Sequence, residues 1–177
     1  MRLCKDSTVL LWEPCEDTVK QIMRRYFTWA LDTTRESRLS TLSDGALFKG
    51  ISRKLLRKLL VDLSEKKYKA GDVIFHEGES GMALYIILEG SVRITKKLDS
   101  EDKTLYVRGP GSHFGELALI GHTSRFATAV AETDTLLLIM YKSYFDDLIR
   151  SNSAVAARIL LNLATVLSDY IHRYQPE

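Results

Sequence analysis

Hydrophobic and polar positions change rhythm several times along this chain, and each rhythm predicts a different element. Val19, Ile22, Met23, Tyr26 and Ala30 recur at helical spacing, which predicts an amphipathic helix from about Glu16 to Asp32. Residues 33–44 are polar, rich in Ser and Thr, and read as a linker. Ser52 then stands as an N-cap ahead of Leu55, Leu56, Leu59, Leu60 and Leu63, which share one helical face. Arg53, Lys54, Arg57 and Lys58 fall on the opposite face, where a surface helix carries its charges.

From Tyr68 the texture becomes β-like. Short apolar runs at Val73–Phe75, Leu84–Leu88, Val92–Lys96, Leu105–Val107, Thr128–Val130 and Thr135–Met140 alternate with turn signals. Those signals are Gly71-Asp72, Gly78-Glu79-Ser80-Gly81, Glu89-Gly90, Asp99-Ser100 and Gly109-Pro110-Gly111. Strands at this spacing predict a compact antiparallel roll, not a parallel sheet. After Met140 the helical period returns. Tyr144, Phe145, Leu148 and Ile149 form a short helix that Ser151-Asn152-Ser153 interrupts. Val155, Ile159, Leu160, Leu163, Leu167, Tyr170, Ile171 and Tyr174 then mark a longer one that ends at Pro176. The fold class expected is α+β, an antiparallel β-roll flanked by N- and C-terminal helices.

Composition narrows the function classes. The chain has 177 residues, 45% hydrophobic and 27% charged, enough for a core without metals or disulfides. A formal charge of +2 gives no global reason to expect a nucleic-acid or membrane partner. Cys4 and Cys15 lack CxxC spacing, and the histidines (His76, His113, His122, His172) are scattered, so no metal site is expected. No signal-peptide core is visible and no stretch approaches a membrane span, so a soluble, cytoplasmic protein is expected. Enzyme signatures are also missing. Gly109 to Phe114 lacks the third glycine of a dinucleotide fingerprint, and Gly78–Gly81 is one residue short of a nucleophile elbow and reads as a hairpin turn.

Candidate chemistry concentrates in residues 114–129, FGELALIGHTSRFATA. Gly115 lets backbone approach a ligand closely. Leu117 to Ile120 favour a short helical turn whose first N–H groups point outward. Arg125 supplies a planar fork of donors matched to two phosphate oxygens. Glu116, when ionised, only accepts, so its partner is a hydroxyl or an amine. Phosphate donors beside one carboxylate suit a ribose phosphate.

This stretch resembles the phosphate-binding cassette of cyclic nucleotide-binding domains, the module of protein kinase A regulatory subunits, cyclic nucleotide-gated channels and bacterial catabolite activators. Residues 71–94, GDVIFHEGESGMALYIILEGSVRI, are similar to the first half of such domains, and Leu47–Ser52 to their entry. The resemblance implies a jelly-roll-like double-stranded β-helix, in a stand-alone bacterial member with residues 1–43 as N-terminal helix and linker and 44–177 as the module. It implies that Glu116 takes the ribose 2′-hydroxyl and Arg125 the exocyclic phosphate oxygens, with Gly115, Leu117, Ala118, Phe126 and Ala127 completing the ligand site. Two positions depart from the family pattern. Ser124 stands where proline is frequent, and Phe126 where Ala, Ser or Thr is usual. A threonine at the latter position favours cGMP; Phe126 has no side-chain donor, so the ligand expected is cAMP, with cGMP as the alternative.

The family also implies that the last helix swings over the roll and caps the base with one side chain. Tyr170, His172, Arg173 and Tyr174 all have suitable shape. The function expected is a cyclic nucleotide receptor that converts binding into helix movement, not an enzyme. Its output would pass through a partner protein or self-association of the N- and C-terminal helices. The alternative is a degenerate member of the same fold acting as a ligand-free interaction scaffold.

Overall fold

The computed structural model describes residues 34–98, 101–121 and 124–173. The amphipathic helix expected over Glu16–Asp32 lies outside them. Apart from residues 34–36 at the start of the first helix, everything that follows belongs to the compact unit Ser37–Glu177.

Two four-stranded antiparallel sheets form the roll. One has the order β1-β8-β3-β6, from Ser64–Tyr68, Thr135–Tyr141, Ala83–Glu89 and His113–Phe114. The other runs β2-β7-β4-β5, from Val73–Phe75, Thr128–Ala131, Val92–Leu98 and Glu101–Arg108. Strands β3 and β8 carry unbroken apolar runs at 83–88 and 136–140 because both their faces are covered there. Leu84, Ile86, Leu136, Leu138 and Met140 face the helices, while Ile87 and Leu137 face the second sheet. Alternation is lost wherever a strand is buried on both sides. Between β3 and β4 the chain reverses at Gly90, with φ of 80°. A Cβ there would meet the Asp134 carbonyl oxygen at 2.3 Å, so only glycine fits.

Residues 34–44 are helical (α1), which corrects the reading of 33–44 as a linker. Polar composition suggested a loop, but Leu39 and Leu42 sit three apart on one face and are both 1% exposed. Burying each contributes about 1.5–3 kcal/mol. The hydroxyl of Thr41 donates back to the Ser37 carbonyl at 3.1 Å, so a polar residue is accommodated inside the helix. A 3-10 turn at Ala46–Phe48 follows, then α2 at Arg53–Asp62. Ser52 holds the N-cap position with its carbonyl accepting from Leu55 and Leu56, but its side chain makes no capping bond.

Helix α3 is the four-residue turn Leu117–Ile120, α4 spans Lys142–Ser151, and α5 spans Ser153–Arg173. Val155, Ala156, Ile159 and Leu163 anchor α5 to the same core as Leu119 of α3 and Phe145 of α4. The Asn162 amide donates to the carbonyls of Leu47 and Lys49, both at 2.9 Å, and ties α5 to the 3-10 turn. The expectation that no stretch approaches a membrane span needs correction. Ser153–His172 is long and apolar enough by length and composition, because only Arg158 and Asp169 interrupt it. The buried anchors show that one side of this helix serves the core of the roll.

Candidate functional site

The Gly78–Gly81 segment is a turn, but not the hairpin expected of it, since β2 and β3 belong to different sheets. Its backbone brackets Arg125. The Arg125 amide donates to the Glu79 carbonyl at 2.7 Å, the Gly78 amide donates to the Arg125 carbonyl at 2.9 Å, and Ser80 bridges Ser124. These bonds hold position 125 from both sides, without the proline that the cassette often carries before its arginine.

The side chain of Arg125 turns inward and is only 7% exposed. Nη1 donates to the Gly115 carbonyl at 3.1 Å and Nη2 to the Ala83 carbonyl at 2.9 Å. The guanidinium lies 4.1 Å from the centre of the Phe75 ring and 5.4 Å from that of Tyr85. Phe75, Tyr85 and Phe114 pack as one aromatic bed, with centroids 5.2–5.9 Å apart. Burial lowers the guanidinium pKa, opposed by the Tyr85 phenol and by the carboxylates of Glu79 and Glu116. The fork is thus oriented by carbonyls and a π-face, and none of its partners is a bonded carboxylate.

Gly115 has φ of 71°, and Glu116 follows it into α3. Burial raises the Glu116 pKa above the usual carboxylate range; its backbone amide, Arg108 and Arg125 act in the other direction. A desolvated carboxylate gains most from a hydroxyl donor that enters with a ligand. Of the amides expected to line the site, that of Ala118 is engaged with the Gly115 carbonyl at 3.3 Å. Leu117 is exposed at 41%, whereas Ala118 and Ala127 are buried.

Two adjoining cavities share Tyr106, Glu116, Leu117 and Phe126. The smaller, about 80 Å³, lies against Gly115, Arg125 and the aromatic bed. The larger, about 440 Å³, opens towards Lys96, Leu105, Leu167 and Tyr170. Leu105 and Tyr106 are consecutive yet both face it. The pairing of β4 with β5 slips between Ile94 and Thr95 and leaves Leu105 unmatched, the signature of a bulge that re-aims a side chain. Phe126 is 62% exposed at the rim, with the Lys96 ammonium 3.4 Å from its ring centre.

Of the four side chains expected as a cap, Tyr170 lines the larger cavity and His172 does not. Tyr174 and the side chain of Arg173 lie outside the described residues. Arg108 donates to the Tyr170 hydroxyl at 2.6 Å and stacks 4.5 Å from the centre of Tyr106. Arg108, Lys96 and Tyr106 were not among the residues singled out in the sequence. They come from β4 and β5, and only the fold brings them to Glu116.

Comparison with known proteins agrees with this geometry. The profile of the cyclic nucleotide-binding domain matches residues 65–152. The cyclic AMP receptor protein of Thermus thermophilus is 35% identical over 124 residues, which cover 70% of this chain and 57% of that protein. Human cGMP-dependent protein kinase 2 is 28% identical over 143 residues, 79% of this chain but 18% of the kinase. The chain therefore spans less than two thirds of these curated relatives. A cyclic nucleotide-binding-like protein from Brucella abortus superposes with a TM-score of 0.57 at 30% identity, covering 64% of this chain and 98% of that structure. Fold, cassette and relatives converge: the chain belongs to the cyclic nucleotide-binding domain family.

Proposed function

We propose that this chain is a regulatory receptor for a cyclic purine mononucleotide, with the cyclic phosphate in the smaller cavity and the base in the larger. The observation that carries this reading is the meeting of Arg125 and Glu116 around Gly115, a position with no room for a side chain. Arg125 keeps N–H donors beyond the two given to carbonyls, and these serve the exocyclic oxygens. Glu116 accepts the ribose 2′-hydroxyl. The cavity shared at Leu117 and Phe126 gives the nucleotide one continuous path from phosphate to base.

Signal output follows from packing. Leu119, Phe145 and Ile159 belong to one buried cluster, so a shift of α3 on the phosphate repacks α4 and displaces α5. A ligand moves this equilibrium only by its differential affinity for the two arrangements, on the order of 1–3 kcal/mol. Tyr170 is the side chain best placed to cover the base. The expectation of cAMP rested on the missing donor at Phe126, and relatives named for cAMP and for cGMP both match this chain. Docking of a protein partner or a second copy through the helices remains part of the proposal. Calorimetric titration with cAMP and cGMP tests it, combined with spin labels on α5 and β5. Saturable binding of either nucleotide with a changed label distance is expected. Binding of neither would leave the scaffold reading, and binding at constant distance would remove the helix movement.

A further inference from the structure

Among the described residues, Lys96 is the one cationic side chain lining the larger cavity. Its position is held from two sides. The ammonium sits 3.4 Å from the Phe126 ring centre and 3.9 Å from one carboxylate oxygen of Glu77. The other oxygen of Glu77 accepts from the Lys97 amide at 3.2 Å, which fixes the carboxylate in turn. An ammonium carries three donors and no acceptor. The carboxylate oxygen at 3.9 Å is beyond hydrogen-bond length, and the aromatic face takes at most one N–H, so two donors are left for a ligand. The other polar side chains lining it among the described residues are Glu116, Tyr106 and Tyr170, and the Tyr170 hydroxyl already accepts from Arg108.

A base entering this cavity therefore meets a fixed donor. Guanine presents O6 and N7, two adjacent acceptors, on the edge where adenine places an amino donor beside N7. Lysine satisfies both acceptors of guanine but only N7 of adenine, where the amino group beside it is a second donor facing a cation. We infer that Lys96 reads the base and selects a 6-keto purine cyclic nucleotide over a 6-amino one, an assignment that rests on the proposed placing of phosphate and base. It reverses the lean towards cAMP drawn from Phe126. That side chain has no donor of its own, but the fold lays a donor from β4 across its ring.

The test is direct titration of the full chain with cGMP, cIMP and cAMP. cIMP carries the 6-keto group and N7 without the 2-amino group, so it isolates the edge that Lys96 would contact. Wild type is expected to bind cGMP and cIMP at least about tenfold more tightly than cAMP, and Lys96→Met to bring the three within about threefold. Equal or tighter binding of cAMP than cIMP by wild type overturns the inference, and so does a keto preference that survives in Lys96→Met. The wild-type ratio decides even where the variant fails to fold. Binding of none of the three overturns the nucleotide-receptor reading itself, an outcome distinct from binding without keto preference.

Discussion

A Cβ on Gly115 would lie 2.5 Å from Nη1 of Arg125. The backbone there also has φ of 71°, a conformation that side chains disfavour. One residue thus enforces two conditions: the chain turns into α3, and the guanidinium comes close enough to bond the Gly115 carbonyl. Gly115→Ala is expected to cost about 1–3 kcal/mol of stability and to displace Arg125. Urea denaturation gives the first quantity, and nucleotide titration at a temperature where the variant is folded gives the second. Unchanged stability and affinity would contradict the steric account.

Arg125→Lys separates charge from geometry. The ammonium keeps the charge but cannot span the Gly115 and Ala83 carbonyls while lying flat on Phe75. Nucleotide binding should weaken by about 1.5–3 kcal/mol in calorimetry, with a smaller loss of thermal stability. Equal affinity of variant and wild type would remove Arg125 from the phosphate site.

Glu116 is tested by a ligand that lacks its partner. Wild type should reject a 2′-deoxy cyclic nucleotide, since the desolvated carboxylate then gains no hydroxyl. Glu116→Ala should bind the ribo- and deoxy-ligands with similar, weaker affinity. The free variant should be no less stable at neutral pH. Burial raises the carboxyl pKa on folding, so its ionised form loses stability as pH rises through the folded value. A variant that is destabilised at pH 7 would mark Glu116 as a structural anchor.

Tyr170→Phe removes one acceptor from Arg108 and leaves the ring that lines the larger cavity. A loss of about 0.5–1.5 kcal/mol in stability is expected, together with faster amide exchange along the end of α5. Base coverage by the ring should survive, so affinity changes less than in Tyr170→Ala. If both variants bind like wild type, another side chain covers the base.

His113 is buried, and its Nε2 has no hydrogen-bond partner within the described residues. Burial, reinforced by the positive charge of Arg108, pushes its pKa down to about 4 from an ordinary 6.5. The unfolded chain therefore binds a proton at this residue before the folded one does. Stability should be undiminished above pH 6.5, fall progressively towards pH 4, and lose about 3 kcal/mol at most over that window. Denaturation curves of wild type and His113→Gln between pH 7 and 4 give the comparison, and the variant should lack this slope. Parallel curves would show that His113 does not titrate as described.

By itself, the sequence determined where local rules and packing agree. Six runs of β-prone residues became β2–β5, β7 and β8, and the helical periods became α2, α4 and α5. Residues 114–129 also carried the candidate chemistry legibly, because glycine, carboxylate and arginine lie close together along the chain. Elements held mainly by partners escaped. Strand β1, SEKKY, is exposed except at Tyr68 and owes its existence to backbone pairing with β8. Strand β6 has two residues, too few for any period. In α1 a Ser- and Thr-rich composition concealed two leucines that only the core makes decisive. The larger cavity needed the tertiary structure altogether. Lys96 and Phe126 meet because Thr95 of β4 pairs with Thr128 of β7, and Arg108 meets Tyr170 because α5 packs back across the roll. Contacts between residues distant along the chain leave no spacing to read, since their geometry comes from sheet register and helix docking.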